Sequence, residues 1–234
     1  MSSQTPESTL KNYLLDGVAK EIFFAEEAKF LAHEIGKRAD ELNARGFGHL
    51  FGSIQVAYSD RQTLCITKMF DPEDRKYPTR SIPAILNLIE RNASSWSLPQ
   101  RHKLEEILVG TPYDPAFGKV SDSELAIYVA SYFRDLFPNA GSLSTPQLSR
   151  AIVALREARN KVIAHNEAID QNARTLPTWA EADALVDYAK GFVTAISFGF
   201  LSLFMGNDSR TYLPTADSSG TAFALKKLFT AANL

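Results

Sequence analysis

Apolar side chains recur every three or four positions along most of this chain, which is the spacing of one face of a helix. The clearest run covers residues 10–45 and includes Leu14, Val18 and Ile22, and Gly46 follows it. No stretch alternates apolar and polar residues in the way that predicts a half-buried strand. The pattern therefore predicts an all-α protein.

Proline, glycine and capping residues divide the rest of the chain into further helical runs. The predicted helices after the first cover residues 49–70, 81–92, 99–108, 121–137, a segment that begins near 146, 179–205 and 221–232. Together these runs predict an all-α bundle of about six to eight helices. We interpret residues 1–9 as a disordered N-terminus, 10–206 as a single helical domain, and 207–234 as a polar linker with a short C-terminal helix.

The composition of the chain says more about where the protein is located than about what it does. The net charge is −2, so binding of a nucleic acid would depend on a local basic patch rather than on the overall field. The single cysteine, Cys65, excludes an internal disulfide and suits a reducing cytoplasm. It is predicted to act as a small buried hydrophobic residue. The first nine residues lack the pattern of a signal peptide, which favours a cytoplasmic location.

One uncharged run raises the question of a membrane. It extends from Gly191 to Asn207 and contains Thr194 and Ser197. A spanning helix needs about 20 mostly apolar residues, and this run is shorter. We interpret it as a buried helix, and no membrane association is predicted.

Metal and cofactor motifs are missing from the sequence. It contains no Glu-x-x-His pair, no His-Glu-x-x-His, no second cysteine and no phosphate-binding glycine loop. We therefore predict neither a metal site nor a cofactor. His33 is interpreted as a surface or helix-packing residue. The aromatic residues Trp179, Phe198, Phe200 and Phe204 are interpreted as core or dimer contacts rather than as a stacking platform, since such platforms need exposure.

Ionisable and amide side chains are concentrated between residues 155 and 170, inside an amphipathic pattern. The residues concerned are Arg156, Arg159, Asn160, Lys161, His165 and Asn166. A solvated helix face explains such a set in the simplest way, and Glu157 and Lys161 have the spacing of a stabilising surface pair. The alternative is a site that cleaves RNA.

RNA cleavage needs groups that this stretch supplies. The 2′-hydroxyl must lose a proton and the leaving 5′-oxygen must gain one, and a histidine titrating near neutral pH can serve either step. A guanidinium stabilises the charge that builds up on the phosphoryl oxygens. We therefore predict Arg159 and His165 as catalytic, with Asn160 assisting by contacting phosphate or orienting the imidazole. Arg156, Lys161 and Asn166 are predicted to bind RNA.

The spacing of these residues poses a geometric problem. Positions six apart lie about 120° from each other on an ideal helix, so Arg159 and His165 would not share one face. Either the helix loosens at Ala164, or a second copy of the chain completes the site across a two-fold axis.

The segment Arg159-Asn160-Lys161-Val162-Ile163-Ala164-His165 resembles the motif of HEPN domains, in which an arginine and a polar residue precede a histidine. The neighbouring segments Leu155-Arg156 and Ala164-His165-Asn166-Glu167 resemble the AbiU type of HEPN protein, which is linked to abortive infection. Residues 64–88 are similar to that type as well, with Met69-Phe70-Asp71 followed by Ser81-Ile82. The resemblance covers roughly residues 10–205.

The resemblance implies an α-helical domain that forms a homodimer. It implies a metal-independent endoribonuclease in which Arg159 and His165 catalyse cleavage and Asn160 assists. Such a protein would act in phage defence or in a toxin-antitoxin system, with an antitoxin or other protein as partner. The alternative is a non-catalytic module of the same fold that binds RNA or protein.

Overall fold

The computed structural model describes residues 5–74, 76, 78–136, 146–160, 178–203 and 218–234. Throughout these ranges the chain forms helices and connecting turns, and they contain no strand. The helices are α1 (Pro6–Tyr13), α2 (Lys20–Gly36), α3 (Ala39–Ala44), α4 (Gly48–Phe70), α5 (Ile82–Arg91), α6 (Arg101–Leu108), α7 (Asp122–Leu136), α8 (Pro146–Ala158), α9 (Trp179–Leu201) and α10 (Gly220–Ala231). The predicted all-α bundle is confirmed.

The first helix begins earlier than the pattern predicts. The Thr5 hydroxyl accepts a hydrogen bond from the backbone N–H of Ser8 at 3.2 Å, and Pro6 occupies the first turn. Both features favour a helix start because the first N–H groups of a helix have no acceptor within it. The Thr5 hydroxyl accepts from one of them, and proline has no N–H to leave unpaired. Residues 6–9, predicted to be disordered, are therefore helical.

A wider π-helical turn, Leu14–Ala19, joins α1 to α2. Gly17 lies in this turn, and a Cβ atom there would lie 2.5 Å from Cβ of Arg80. Only glycine permits that approach without a shift of backbone. The loop that follows α4 is thereby packed directly against the first helical segment, which restrains the end of α4.

The core is organised around α9. Leu185, Ala189, Phe192, Val193 and Ile196 of this helix are fully buried against the surrounding helices. By length and composition alone α9 would also suit a membrane span, and 56% of its most apolar window is buried inside the fold. The helix ends at Leu201 rather than at the predicted residue 205.

The early end of α9 has a local cause. Ser202 adopts a left-handed backbone conformation with φ of 50° and caps the helix. A left-handed residue directly after the last turn is a common way for a helix to end.

Polar contacts fix α9 to α2. The buried Glu26 carboxylate pairs with the Lys190 ammonium group, and Lys29 pairs with Asp183 at 2.8 Å. Burial raises the pKa of Glu26, while the Lys190 partner opposes that shift. Because a buried charge without a partner is costly, the pair of Glu26 and Lys190 favours one register between the two helices.

Helix α4 is less enclosed than the sequence pattern suggests. Cys65, Ile66, Met69 and Phe70 in its second half are buried, which confirms the interpretation of Cys65 as a small buried hydrophobic residue. The first half is open to solvent, and Val56 there is 61% exposed. Helix α4 therefore joins the main core through the end that leads to Asp71, whereas Phe51 and Ile54 in its first half pack on a smaller cluster around Phe229.

The C-terminal helix α10 packs on the first helices of the chain. Phe229 is fully buried in a small cluster with Ile35 and Leu42. Arg38 lies over the Phe229 ring at 5.3 Å and donates a hydrogen bond to the carbonyl oxygen of Leu234. The predicted linker at 207–217 lies outside the described residues, and the proposed division into domains stays a prediction.

A capping box begins α9 and links it to α8. The backbone N–H of Glu181 donates to the Thr178 hydroxyl at 3.2 Å, and the backbone N–H of Thr178 donates to the Glu181 carboxylate at 2.8 Å. Arg150 of α8 pairs with the same carboxylate. The hydrogen bond from the Thr178 backbone, followed by the one from Arg150, lowers the pKa of Glu181 from 4.5 to about 2.

This shift predicts a pH-dependent effect of Glu181→Gln. A carboxylate whose pKa is lowered on folding stabilises the protein above its unfolded-state pKa, and that contribution is lost as the pH falls through the folded-state value. The thermal midpoint of Glu181→Gln should lie below that of the wild type at neutral pH, and the gap should narrow by about pH 2.5. Circular dichroism melts at both pH values measure it, with the exposed Glu157→Gln as control. An equal gap at both pH values would contradict the assignment.

Candidate active site

Helix α8 carries the first part of the motif to the end of α4. Ala151, Ile152 and Leu155 are buried and hold α8 against α4 and α9. Regular α-helix ends at Ala158, and residues 159–160 continue in the wider π-helical winding. The winding thus widens at the predicted catalytic arginine, whereas Ala164, where loosening is one of the two options, lies outside the described residues.

Arg159 is held by the carboxylate of Asp71, which lies 88 residues earlier in the sequence. Its Nη1 donates to both carboxylate oxygens of Asp71, each at 2.8 Å. Its Nε donates to Oδ1 of Asn160 at 3.0 Å. The side chains of Arg159 and Asp71 are each 23% exposed. The guanidinium is thus fixed on two edges while part of it still reaches solvent.

The third edge of this guanidinium is formed by Nη2, which makes no hydrogen bond to any described residue. A guanidinium presents five N–H donors in a rigid fork, so an anion could bind the remaining edge while Asp71 stays in place. Asn160 accepts a hydrogen bond from Arg159, and its predicted assistance in catalysis stays a prediction.

Asp71 is a site residue that the sequence pattern does not single out. In the sequence it follows the predicted helix 49–70 and precedes Pro72, a position typical of a residue that merely ends a helix. In the structure it directly follows the last residue of α4 in an extended conformation, which turns its carboxylate toward Arg159. The similarity of Met69-Phe70-Asp71 to AbiU-type proteins was the signal that could have singled it out.

Arg156 approaches the same end of α4 from one helical turn earlier. Its Nη2 donates to the backbone carbonyl of Phe70, the last residue of α4. Burial lowers the pKa of Arg156, and the nearby Asp71 charge opposes that shift. Its Nε is buried and has no partner among the described residues. Arg156 thus caps α4, and its predicted contact with RNA stays a prediction.

The remaining predicted site residues are Lys161, His165 and Asn166, and all three lie outside the described residues. The described part of the site therefore consists of Arg156, Arg159 and Asn160 gathered around the end of α4.

Trp179 differs from the aromatic residues with which it was grouped. It is 55% exposed, whereas Phe200 is 3% exposed. Trp179 is therefore not a core residue of this chain, because it occupies the first position of α9, where the helix emerges from the core. The other predicted role of Trp179, a dimer contact, stays a prediction. Phe200 is a core residue, as predicted.

The comparison with protein families assigns this chain to the HEPN class. Within that class, the AbiU2 family matches residues 14–217, which is most of the chain. The chain belongs to the AbiU2 family of HEPN proteins and is of the abortive-infection type. No curated protein and no solved structure matches it significantly. Helix α10 lies beyond the matched residues.

The capping role of Arg156 predicts a loss of stability on substitution. Arg156→Met retains an unbranched apolar side chain but removes the hydrogen bond from Arg156 to the Phe70 carbonyl, so the free energy of unfolding should fall by about 1–3 kcal/mol. Urea denaturation measures this, and Glu157→Ala on the exposed side of α8 should change it by less than about 0.5 kcal/mol. An unchanged stability in Arg156→Met would show that the contact does not support the fold.

Proposed function

We propose that this protein is a metal-independent endoribonuclease, with Arg159 binding the scissile phosphate. The observation that carries the proposal is the fixed guanidinium of Arg159, held on two edges by Asp71 and Asn160 with its third edge available. Membership of the AbiU2 family of HEPN proteins supports it.

The chemistry follows from which group each residue supplies. Arg159 donates hydrogen bonds to non-bridging phosphoryl oxygens, whose negative charge increases as the 2′-oxygen attacks phosphorus. Because Asp71 and Asn160 hold the guanidinium beforehand, little reorientation is needed when that charge develops. His165 is proposed to exchange protons with the attacking 2′-oxygen or the leaving 5′-oxygen. The P–O bond to the 5′-oxygen breaks as the 2′-oxygen bond forms.

The proposed assembly is a cytoplasmic homodimer. Arg159 and His165 are too far apart in rotation to share one face of a regular helix. The π-helical winding at residues 159–160 changes that rotation, and a second copy related by a two-fold axis would place two motifs side by side. The biological role we propose is phage defence, with an antitoxin or other protein as a possible regulator.

One observation favours the alternative of a non-catalytic binding module. The Asp71 carboxylate offsets the positive charge of Arg159, so the electrostatic attraction between Arg159 and a phosphate is weaker. A protein that binds RNA or a protein partner through this patch without cutting would tolerate that loss more easily than a nuclease would.

Cleavage of RNA in the presence of EDTA separates the two functions. The wild type should cleave single-stranded RNA with or without EDTA, while Arg159→Ala and His165→Ala should each lower the rate at saturating RNA by about a hundredfold or more. The exposed His49→Ala on α4 is the matched control and should cleave normally. Anisotropy with labelled RNA reports binding separately.

Three results would decide against the nuclease. These are intact RNA bound by the wild type, full activity in His165→Ala, and loss of activity in EDTA that added metal restores. The first of these would support the non-catalytic module.

A further inference from the structure

A pocket of about 280 Å³ lies beside the candidate site, between α4, the end of α8 and the start of α9. Three helices contribute side chains to its walls. They are Ser59, Gln62 and Thr63 of α4, Leu155 and Ala158 of α8, and Trp179 of α9. The pocket is slightly smaller than the about 300 Å³ at which sites for drug-sized ligands begin, so it suits a single ring system.

Gln62 lines this pocket, and its amide has an unsatisfied donor. The residue is only 4% exposed, and its Nε2 is shielded from solvent with no acceptor among the described residues. A buried amide N–H without a partner costs free energy, so rotation of the amide toward an occupant with a carbonyl or ring-nitrogen acceptor would remove that cost.

Two hydroxyl groups nearby are already engaged as donors. Ser59 donates to the carbonyl of Gln55 at 3.0 Å, and its oxygen can still accept a hydrogen bond. The Thr178 hydroxyl, also on the pocket wall, is used in the capping box with Glu181. The Thr63 hydroxyl also lines the pocket and makes no hydrogen bond to another described residue. The pocket therefore offers both donors and acceptors, as recognition of the edge of a nucleobase requires.

Trp179 supplies a flat surface at the pocket. Its side chain is 55% exposed, so its face is open to a ligand in the way that stacking platforms require. No ionisable side chain lines the pocket, as far as the described residues go. A neutral planar group suits such walls better than a phosphate does.

The position of the pocket connects it to the candidate active site. Ala158 lines the pocket, and the next residue is Arg159. Leu155 also lines it, while the following Arg156 caps α4. A chain with a base in the pocket would thus pass the same end of α8 that carries the fixed guanidinium.

We propose that this pocket binds one unpaired base of the RNA, stacked on Trp179 and hydrogen-bonded to the amide of Gln62. This proposal rests on the proposed function. It specifies that the protein binds a base of the RNA near the phosphate that is cleaved. It predicts recognition of single-stranded RNA, since only an unpaired base presents a free face and edge.

Tryptophan fluorescence tests the stacking contact without any cleavage. The four nucleoside 5′-monophosphates are titrated separately, with ribose 5-phosphate as the probe that has no base. At least one nucleotide should quench the fluorescence of the wild type, ribose 5-phosphate should not, and Trp179→Phe should lose the change. Trp96 is buried and remains as an internal reference. Absence of quenching by all four nucleotides, or equal quenching by ribose 5-phosphate, would overturn the proposal.

A pair of glutamine substitutions on α4 tests the hydrogen bond. Gln62→Leu removes the unsatisfied donor, whereas Gln55→Leu removes an amide that donates to the Ala32 carbonyl at 3.0 Å. Binding is measured by anisotropy with labelled homopolymeric oligonucleotides whose 2′-O-methyl groups block cleavage. Gln62→Leu should melt no lower than the wild type yet bind about tenfold more weakly, and Gln55→Leu should melt lower and bind normally. Trp179→Ala should weaken binding to a similar extent, and Trp179→Phe should restore part of it.

The outcomes separate this proposal from the nuclease. If Gln62→Leu and Trp179→Ala bind all oligonucleotides as the wild type does, the base pocket is wrong, even where RNA is cleaved. If both variants lose binding while the wild type never cleaves RNA, the pocket is supported and the nuclease is not.

Discussion

The ion pair between Arg159 and Asp71 is the interaction on which the site depends. It joins the end of α8 to the end of α4, two points far apart in sequence, at N–O distances of 2.8 Å. Partial burial strengthens the pair relative to one in water, because less solvent screens the charges. The consequence is a guanidinium with a fixed orientation, which is what an anion-binding group in a catalytic site requires.

Other features of the fold converge on the same point. Arg156 caps α4 at the carbonyl of Phe70. Gly17 allows Arg80, in the loop between α4 and α5, to pack against the first helical segment. Buried residues on α8 and α9 hold the motif helix against the core. The rigidity of the end of α4 is therefore shared among several contacts, and the pair with Arg159 builds on an end that is already anchored.

The periodic pattern predicts most of the helices because apolar spacing and capping residues are local properties of the sequence. The helix α5 is predicted because Ser81 is a capping residue and Pro83 suits a first helical turn. The all-α class and the arginine of the motif are also read from the sequence. The pattern does not predict the partner of Arg159, the unsatisfied donor of Gln62 or the exposure of Trp179. These depend on contacts between distant segments, which helical periodicity does not encode. The π-helical winding at residues 159–160 was missed for a related reason, since regular geometry is assumed when faces are assigned.

A double-mutant cycle on Asp71 and Arg159 tests the central claim most directly. The free energy of unfolding is measured in urea for the wild type, Asp71→Asn, Arg159→Gln and the double variant. A partly buried pair that fixes the guanidinium predicts a coupling energy of about 1 kcal/mol or more. Effects that add to within about 0.5 kcal/mol would contradict the account, because they would mean that Asp71 does not hold Arg159 in place.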